Sequence, residues 1–363
     1  MRFSFVIAAV LAVFVSLSAN AQKSSTKYVE AAELTLVGNL FPDTPNPYHR
    51  LDTAKYRGLE PGDYLNATQS SGLAVAFKTN SKYIKVQTEY GFRRFGNFSA
   101  GFALRGYDLY IKKDGKWLWA GVGAAKDDAC DKPATIVKDL DGTMHECLLY
   151  FPIFSEERSV KVGVSEDSVL EAIDIPFRHK VGIFGSSFTH GAGASRSGMT
   201  YPAIFSRDTG IQLLSLGVSG RSKLQPVFAQ ALADADVEAY IFDSFSNPSL
   251  AQIRERLFPF IETIQAKHPD IPLIFQQTIY REHRNFDTKR RKFEIDRLAL
   301  CDSLMNIACK KYKNVYYVKS TNATSPEHDT TVDGTHPSDY GYVLWAHSIE
   351  KPILKILRKY GIK

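Results

Sequence analysis

The sequence is short of sulfur and of tryptophan, with four cysteines, four methionines and three tryptophans in 363 residues. So few cysteines cannot staple a chain of this length, so an apolar core has to hold it. Cys130 and Cys147 could bridge within the first half of an exported protein. Cys301 and Cys309 stand eight apart on an expected helix. That is roughly 12 Å at 1.5 Å rise per residue, too far for a mutual bond, so they read as buried thiols. No His-Glu-x-x-His and no Cys/His spacing of a metal site occurs, so neither a metal nor another cofactor is expected. No sign of charge dominates: 45 Lys and Arg face 39 Asp and Glu, a net charge of +6. The one basic cluster, Lys289 to Lys292, has Glu294 and Asp296 close behind it, which suits a solvated helix face rather than a nucleic-acid partner. Beyond the first residues no apolar run is long enough to span a membrane.

Those first residues carry Arg2, an apolar run from Phe5 to Val15, and then Ala19-Asn20-Ala21. They read as the basic region, hydrophobic core and small-residue cleavage site of a secretory leader spanning residues 1–21. Gln22 rather than Cys follows, so a lipid anchor there is not expected. The remaining chain should be exported, to the periplasm or beyond the cell, and it is long enough for two domains.

Two rhythms divide it. Over residues 22–176, Leu73, Val75 and Phe77 alternate with Ala74, Ala76 and Lys78, and Ile84, Val86 and Thr88 alternate with Lys85, Gln87 and Glu89. Val160, Val162 and Val164 repeat the pattern, and Asp114-Gly115 marks a hairpin between Tyr107–Lys112 and Lys116–Trp119. Short strands without an amphipathic helix predict an antiparallel β-sandwich, jelly-roll-like, whose core takes Tyr110, Trp117 and Trp119. Over residues 177–363, apolar strands at Val181–Phe184, Ile211–Leu216, Ala239–Phe242, Leu273–Gln276 and Val315–Val318 alternate with helix-length segments. One of these, Ser249 to Lys267, puts Ile253, Leu257, Phe260, Ile261 and Ile264 on one face behind a Ser249 cap. Such alternation predicts a parallel sheet covered on both faces, with ligands beyond the carboxyl ends of its strands.

The candidate site residues fall at those ends. Gly185-Ser186-Ser187 follows the first strand, and Ser187 is the candidate nucleophile, with Ser186 the neighbour most easily confused with it. A serine hydroxyl needs a base, and Asp333-Gly334-Thr335-His336 supplies a histidine with a carboxylate three residues before it. Gly220 follows the second strand and Asn247 the third, each placed to donate to a developing oxyanion. His190, Arg196 and Met199 lie in the loop after Ser187, where they would shape a substrate pocket. Gly-x-Ser-x-Gly is absent, which excludes the α/β-hydrolase nucleophile elbow.

Taken together, Gly-Ser-Ser-Phe-Thr at 185–189, the Gly220 block, the Asn247 block and Asp333-x-x-His336 resemble the four blocks of the SGNH (GDSL-like) hydrolases. Gly106-Tyr107-Asp108-Leu109-Tyr110 resembles the Gly-x-Asp-Leu-Tyr signature of the sandwich domain preceding one bacterial branch of that family. The resemblance implies a flavodoxin-like α/β/α domain after the sandwich. It also implies Ser187 as nucleophile and oxyanion donor, Gly220 and Asn247 as further donors, His336 as base and Asp333 as its orienting partner. Ser246 and Pro248 flank Asn247 where that family has Gly and Asp, and Ser186 replaces its usual acid. The implied activity is an exported serine esterase acting on an acylated glycan or other small ester, with O-acetyl removal the first expectation. An acyltransferase sharing the acyl-enzyme, and a non-catalytic carbohydrate-binding protein, are the alternatives.

Overall fold

The structure is a computed structural model that describes residues 25–126 and 132–363. The expected leader and Cys130 lie outside the described residues, and Cys147 is a free, buried thiol.

In the N-terminal half run β1 (Thr26–Glu30), β2 (Thr35–Val37), β3 (Ala74–Thr79), β4 (Ile84–Phe92) and β5 (Gly106–Lys113). They are followed by β6 (Lys116–Ala124), β7 (Ala134–Val137), β8 (His145–Tyr150), β9 (Glu156–Ser165) and β10 (Leu170–Ala172). Two antiparallel sheets result, one in the order β1-β9-β4-β7 and one in the order β10-β3-β8-β5-β6 with β2 on β3. The Asp114-Gly115 turn joins β5 to β6 with Lys113 opposite Lys116, as the hairpin signal predicts. Leu73, Val75, Phe77, Val86, Leu109, Val160 and Val162 fill the space between the sheets.

Two expectations for this half need correction. Short helices do occur, at Pro61–Ala67 and Gly101–Arg105. The alternation of β3 also does not separate core from solvent, because Ala74 and Ala76 are fully buried too. They pack with Tyr150, Phe177 and Ala203, where the back of the second sheet meets the C-terminal half. A small side chain suits a sheet face that another layer approaches closely.

The C-terminal half is a five-stranded parallel sheet of β11 (Arg178–Gly185), β12 (Ile211–Gly217), β13 (Ala239–Asp243), β14 (Leu273–Gln276) and β15 (Val315–Val318), in the order β12-β11-β13-β14-β15. This is the flavodoxin-like order, whose reversal beside the first strand opens a crevice at the carboxyl ends. Helices Pro226–Ala233, Leu250–Gln265 and Thr288–Lys311 cover one face, and Tyr201–Thr209 and Asp339–Leu357 the other. Leu250–Gln265 buries the five residues of its predicted stripe and begins with a reciprocal Ser249/Gln252 capping box. Within Thr288–Lys311, Cys301 is buried but Cys309 is exposed, since eight residues turn a helix about 80° beyond two full turns.

A division at residue 176 is not how the core is shared. Leu40, Leu51, Tyr56, Leu59 and Ala67 pack with Phe184, Leu216, Phe228 and Phe242, inside the C-terminal half. The amide of Ser215 on β12 donates to the Gly38 carbonyl, and Gln212 Oε1 accepts from the Gly38 amide. The segment between β2 and β3 is therefore a covering layer of the parallel sheet, carried by the sandwich.

Candidate active site

Three strand ends stand level: Gly185 of β11 pairs with Gly217 of β12 and with Asp243 of β13. Immediately beyond β11, Ser187 opens a single helical turn, Ser187–His190, capped by the Ser186 hydroxyl, which accepts from the Phe188 amide at 3.2 Å. Ser187 Oγ lies 2.9 Å from His336 Nε2, and His336 Nδ1 lies 2.7 Å from Asp333 Oδ2. A carboxylate only accepts, so Nδ1 carries the ring proton and Nε2 is left as the acceptor facing the serine. The other Asp333 oxygen accepts from the amides of Thr335 at 3.0 Å and His336 at 2.7 Å. Burial pushes the Asp333 carboxyl up, but these amides and the His336 ring outweigh it and hold it below its ordinary range. Asp333 is thus an anion that stays ionised beside an imidazole.

The turn bearing Asp333 and His336 is held from the Tyr280–Thr288 loop. Glu282 accepts from the amides and hydroxyls of both Thr330 and Thr331, and the Gly334 carbonyl accepts from the His283 amide at 2.9 Å. Gly334 has φ +80°, and a Cβ there would meet His283 Nδ1 at 2.7 Å, so glycine is required on both counts. Val332 donates to the His336 carbonyl, closing the turn.

Asp243, at the end of β13, organises the nucleophile from beneath. Its Oδ2 accepts from the Ser186 hydroxyl at 2.7 Å, the Ser186 amide at 3.2 Å and the Thr189 hydroxyl at 3.1 Å. Burial pushes this carboxyl up to about 6, although the same donors pull it down. An acid missing from position 186 is thus present on the neighbouring strand. Local sequence offered one signal for it, a charged residue closing an apolar strand.

The remaining candidates divide. The amides of Ser187 and Gly220 bond to no acceptor among the described residues, and Gly220 is exposed with φ +72°. The Asn247 side chain is half-buried and makes no hydrogen bond among the described residues, its Oδ1 being buried and unpaired. Its loop is fixed through the preceding residue: the Ser246 carbonyl accepts from Arg281 at 3.1 Å and Arg297 at 2.8 Å, and both guanidiniums meet the buried Glu294. That trio escapes sequence reasoning because the Ser246 carbonyl it holds lies 35 and 51 positions from the two arginines.

His190 does not reach a substrate. It is fully buried, donates from Nε2 to the Ile153 carbonyl at 2.9 Å, accepts at Nδ1 from the Ser219 amide at 3.2 Å and stacks on Phe154. Burial, with Arg50 nearby, pushes its pKa well below the usual value, so it is neutral. Arg196 is also engaged elsewhere. Its Nη1 donates to Asp108 Oδ2 at 2.8 Å and to the Tyr110 hydroxyl at 2.6 Å. Met199 is half-buried against the core beside Tyr201 and Trp345. These contacts explain the Gly-x-Asp-Leu-Tyr signature structurally. Asp108, wholly buried, also accepts from the Gly198 amide at 2.8 Å and from Trp119 Nε1 at 3.0 Å. A Cβ on Gly198 would meet the Tyr110 ring at 2.4 Å, so only glycine allows this approach. Trp119, expected in the core, is 53% exposed and lies over the Arg196 guanidinium.

The sandwich reaches the site by a second route, the segment between β4 and β5. Ser99 Oγ accepts from the Gly193 amide at 2.9 Å, and the Phe98 ring lies 6.4 Å from that of His336. Among the described residues no three His, Cys, Asp or Glu side chains cluster as metal ligands.

The family described as GDSL-like lipase/acylhydrolase matches residues 178–355, and the N-terminal domain of SGNH-hydrolase-type esterases matches residues 26–170. Among solved structures, a GDSL-like lipase of Bacteroides ovatus is 38% identical, with a TM-score of 0.88 over 92% of this chain and 98% of that one. A salicylyl-acyltransferase from a tetracycline biosynthetic pathway superposes with a TM-score of 0.70 at 21% identity, over 92% of this chain and 98% of its own. A family two carbohydrate esterase of Cellvibrio japonicus gives 0.59 at 12% identity over the same shares, so the likeness of these two is one of fold. No curated protein matches the chain.

Proposed function

The chain belongs to the GDSL-like lipase/acylhydrolase family, and we propose that it is an exported serine esterase that removes O-acetyl groups from a glycan. The observation that carries this reading is the hydrogen-bonded chain from Ser187 Oγ through His336 to Asp333. Ser187 attacks the ester carbonyl while His336 Nε2 takes its proton, and Asp333 offsets the charge formed on the imidazole. The carbonyl oxygen becomes an oxyanion, received by the free amides of Ser187 and Gly220 and by the Asn247 side chain. Collapse of the tetrahedral intermediate breaks the ester bond, and His336 gives its proton to the departing sugar hydroxyl. Water, deprotonated by the same histidine, then releases acetate and restores Ser187.

Export is supported by the pattern of Arg2, Phe5–Val15 and Ala19-Asn20-Ala21. A bulky alcohol such as a sugar is compatible with a site open to solvent, where the Asp333 and His336 side chains are 39% and 23% exposed. The test is acetate release from acetylated plant polysaccharides and from p-nitrophenyl acetate, by wild type and Ser187→Ala. Release by wild type that vanishes in the variant is expected. An ester consumed only when an acceptor alcohol is added, with the acyl group found on that alcohol, would replace the esterase by an acyltransferase.

A further inference from the structure

The segment that the sandwich sends to the site, Arg93-Arg94-Phe95-Gly96-Asn97-Phe98-Ser99, carries a cation without an anion. Arg94 is half-buried, and its guanidinium lies 5.5 Å from the Phe98 ring and 5.8 Å from the Phe154 ring. It pairs with no carboxylate among the described residues, whereas His49 pairs with Glu156 and Arg196 with Asp108. The carboxylate nearest the reaction, Asp333, is committed to His336. Phe98 meets Phe154 edge-on at 5.3 Å and neighbours both the Arg94 guanidinium and the catalytic imidazole. Ser99, next in the chain, is tied to Gly193 in the loop that follows Ser187, so this wall is fixed to the catalytic half.

A guanidinium drawn partly out of water and held on two aromatic faces is a poor surface ornament and a good receptor. Its planar fork matches a carboxylate with two parallel hydrogen bonds, and the aromatic rings restrict where that fork points. Phe98 offers the apolar face of a sugar a place to rest, one ring away from His336. We infer that Arg94 and Phe98 form a subsite for a carboxylate-bearing sugar, so that the acetylated glycan contains uronate residues close to the ester. The inference rests on the esterase reading for its substrate, but the binding it asserts does not need turnover.

The test uses the full-length protein and two substrates of one backbone: O-acetylated oligogalacturonate with free carboxylates, and the same material with its carboxylates amidated. Wild type is expected to favour the charged form by on the order of 10-fold in kcat/KM, a factor that shrinks as salt is raised. Arg94→Gln should abolish that ratio and Arg94→Lys should keep part of it. The ratio is taken within each variant, so a general loss of turnover cancels. In parallel, Ser187→Ala is titrated calorimetrically with non-acetylated oligogalacturonate, with and without Arg94→Gln. Binding lost on adding Arg94→Gln, with the melting temperature unchanged, supports the subsite. Equal handling of charged and amidated substrates by wild type, or binding that survives Arg94→Gln, overturns it. Absence of ester turnover by wild type strikes the esterase reading instead, and the titration then decides the subsite alone.

Discussion

At the residue scale, the site assigns unequal weight to its members. Ser187 and His336 exchange the proton that makes attack feasible, so Ser187→Ala or His336→Ala should each lower kcat on the order of 10⁶. Asp333 acts through the ring it orients, and Asp333→Ala should cost about 10⁴. Asn247→Ala should cost about 10²–10³ if its amide meets the oxyanion, and single-turnover rates on an activated ester measure all four variants. A near-normal Asn247→Ala would leave backbone donors alone in that role. Asp243 gives a pH signature. Burial holds its carboxyl at about 6 in the fold, against about 3.9 when unfolded. A carboxyl raised on folding contributes stability that is complete below the unfolded value and lost as pH rises through the folded one. The wild type should therefore lose on the order of 3 kcal/mol between pH 4 and pH 7 through this group, and Asp243→Asn should not. Urea unfolding at the two pH values tests this, and parallel losses in both proteins would contradict it. Ser187, His336 and Asp333 were legible because each sits at a strand end or within one turn of its partner. Asp243 and Glu282 were not, because each gains its meaning only from partners more than 40 positions away. Glu294, Arg281 and Arg297 were not, because the Ser246 carbonyl they hold lies 35 and 51 positions from the two arginines. His190 misled because a loop histidine near a nucleophile looks the same in sequence whether or not the sandwich covers it.

At the scale of elements, the Ser197–Met199 turn is a strut between halves. It is held by Asp108 from β5 and by Arg207, which donates to the Gly198 carbonyl at 2.7 Å and lies 4.0 Å from the Tyr110 ring. Removing one partner of a buried ion pair leaves the other uncompensated, so Asp108→Ala should cost about 3–5 kcal/mol in unfolding free energy. It should also lower kcat/KM, since the freed turn continues into the Gly191–Ala194 stretch that packs on His336. A Cβ on Gly193 would stand 3.2 Å from His336 Cβ, which shows how closely that stretch approaches. An Asp108→Ala protein with wild-type melting temperature would remove the strut. Strands β14 and β15 and the stripe of Leu250–Gln265 were readable to the residue, because burial on both faces, or on one face of a helix, leaves a periodic trace. The short helix Gly101–Arg105 left none.

For the whole molecule, the shared core matters more than the boundary between rhythms. Leu40, Leu51, Tyr56 and Leu59 complete the packing over Phe184 and Leu216, and each such side chain fully buried contributes about 1.5–3 kcal/mol. A fragment of residues 177–363 would expose that face. It should fail to give a cooperative thermal transition, and a soluble, active fragment would show the covering layer to be dispensable. The segment left no periodic pattern because, apart from the short helix Pro61–Ala67, it winds over the sheet without regular structure, so sequence alone grouped it with the strands around it.

The most direct measurement is covalent trapping. Full-length wild type and Ser187→Ala are treated with a fluorophosphonate, which transfers its phosphonyl group to an activated serine and releases fluoride. The mass of each protein and of its peptides is then read. The expected result is one adduct per wild-type chain, on the peptide bearing Ser187, with none in Ser187→Ala and strongly slowed labelling in His336→Ala. No adduct, or one that persists in Ser187→Ala, would contradict Ser187 as the nucleophile and with it the proposed esterase.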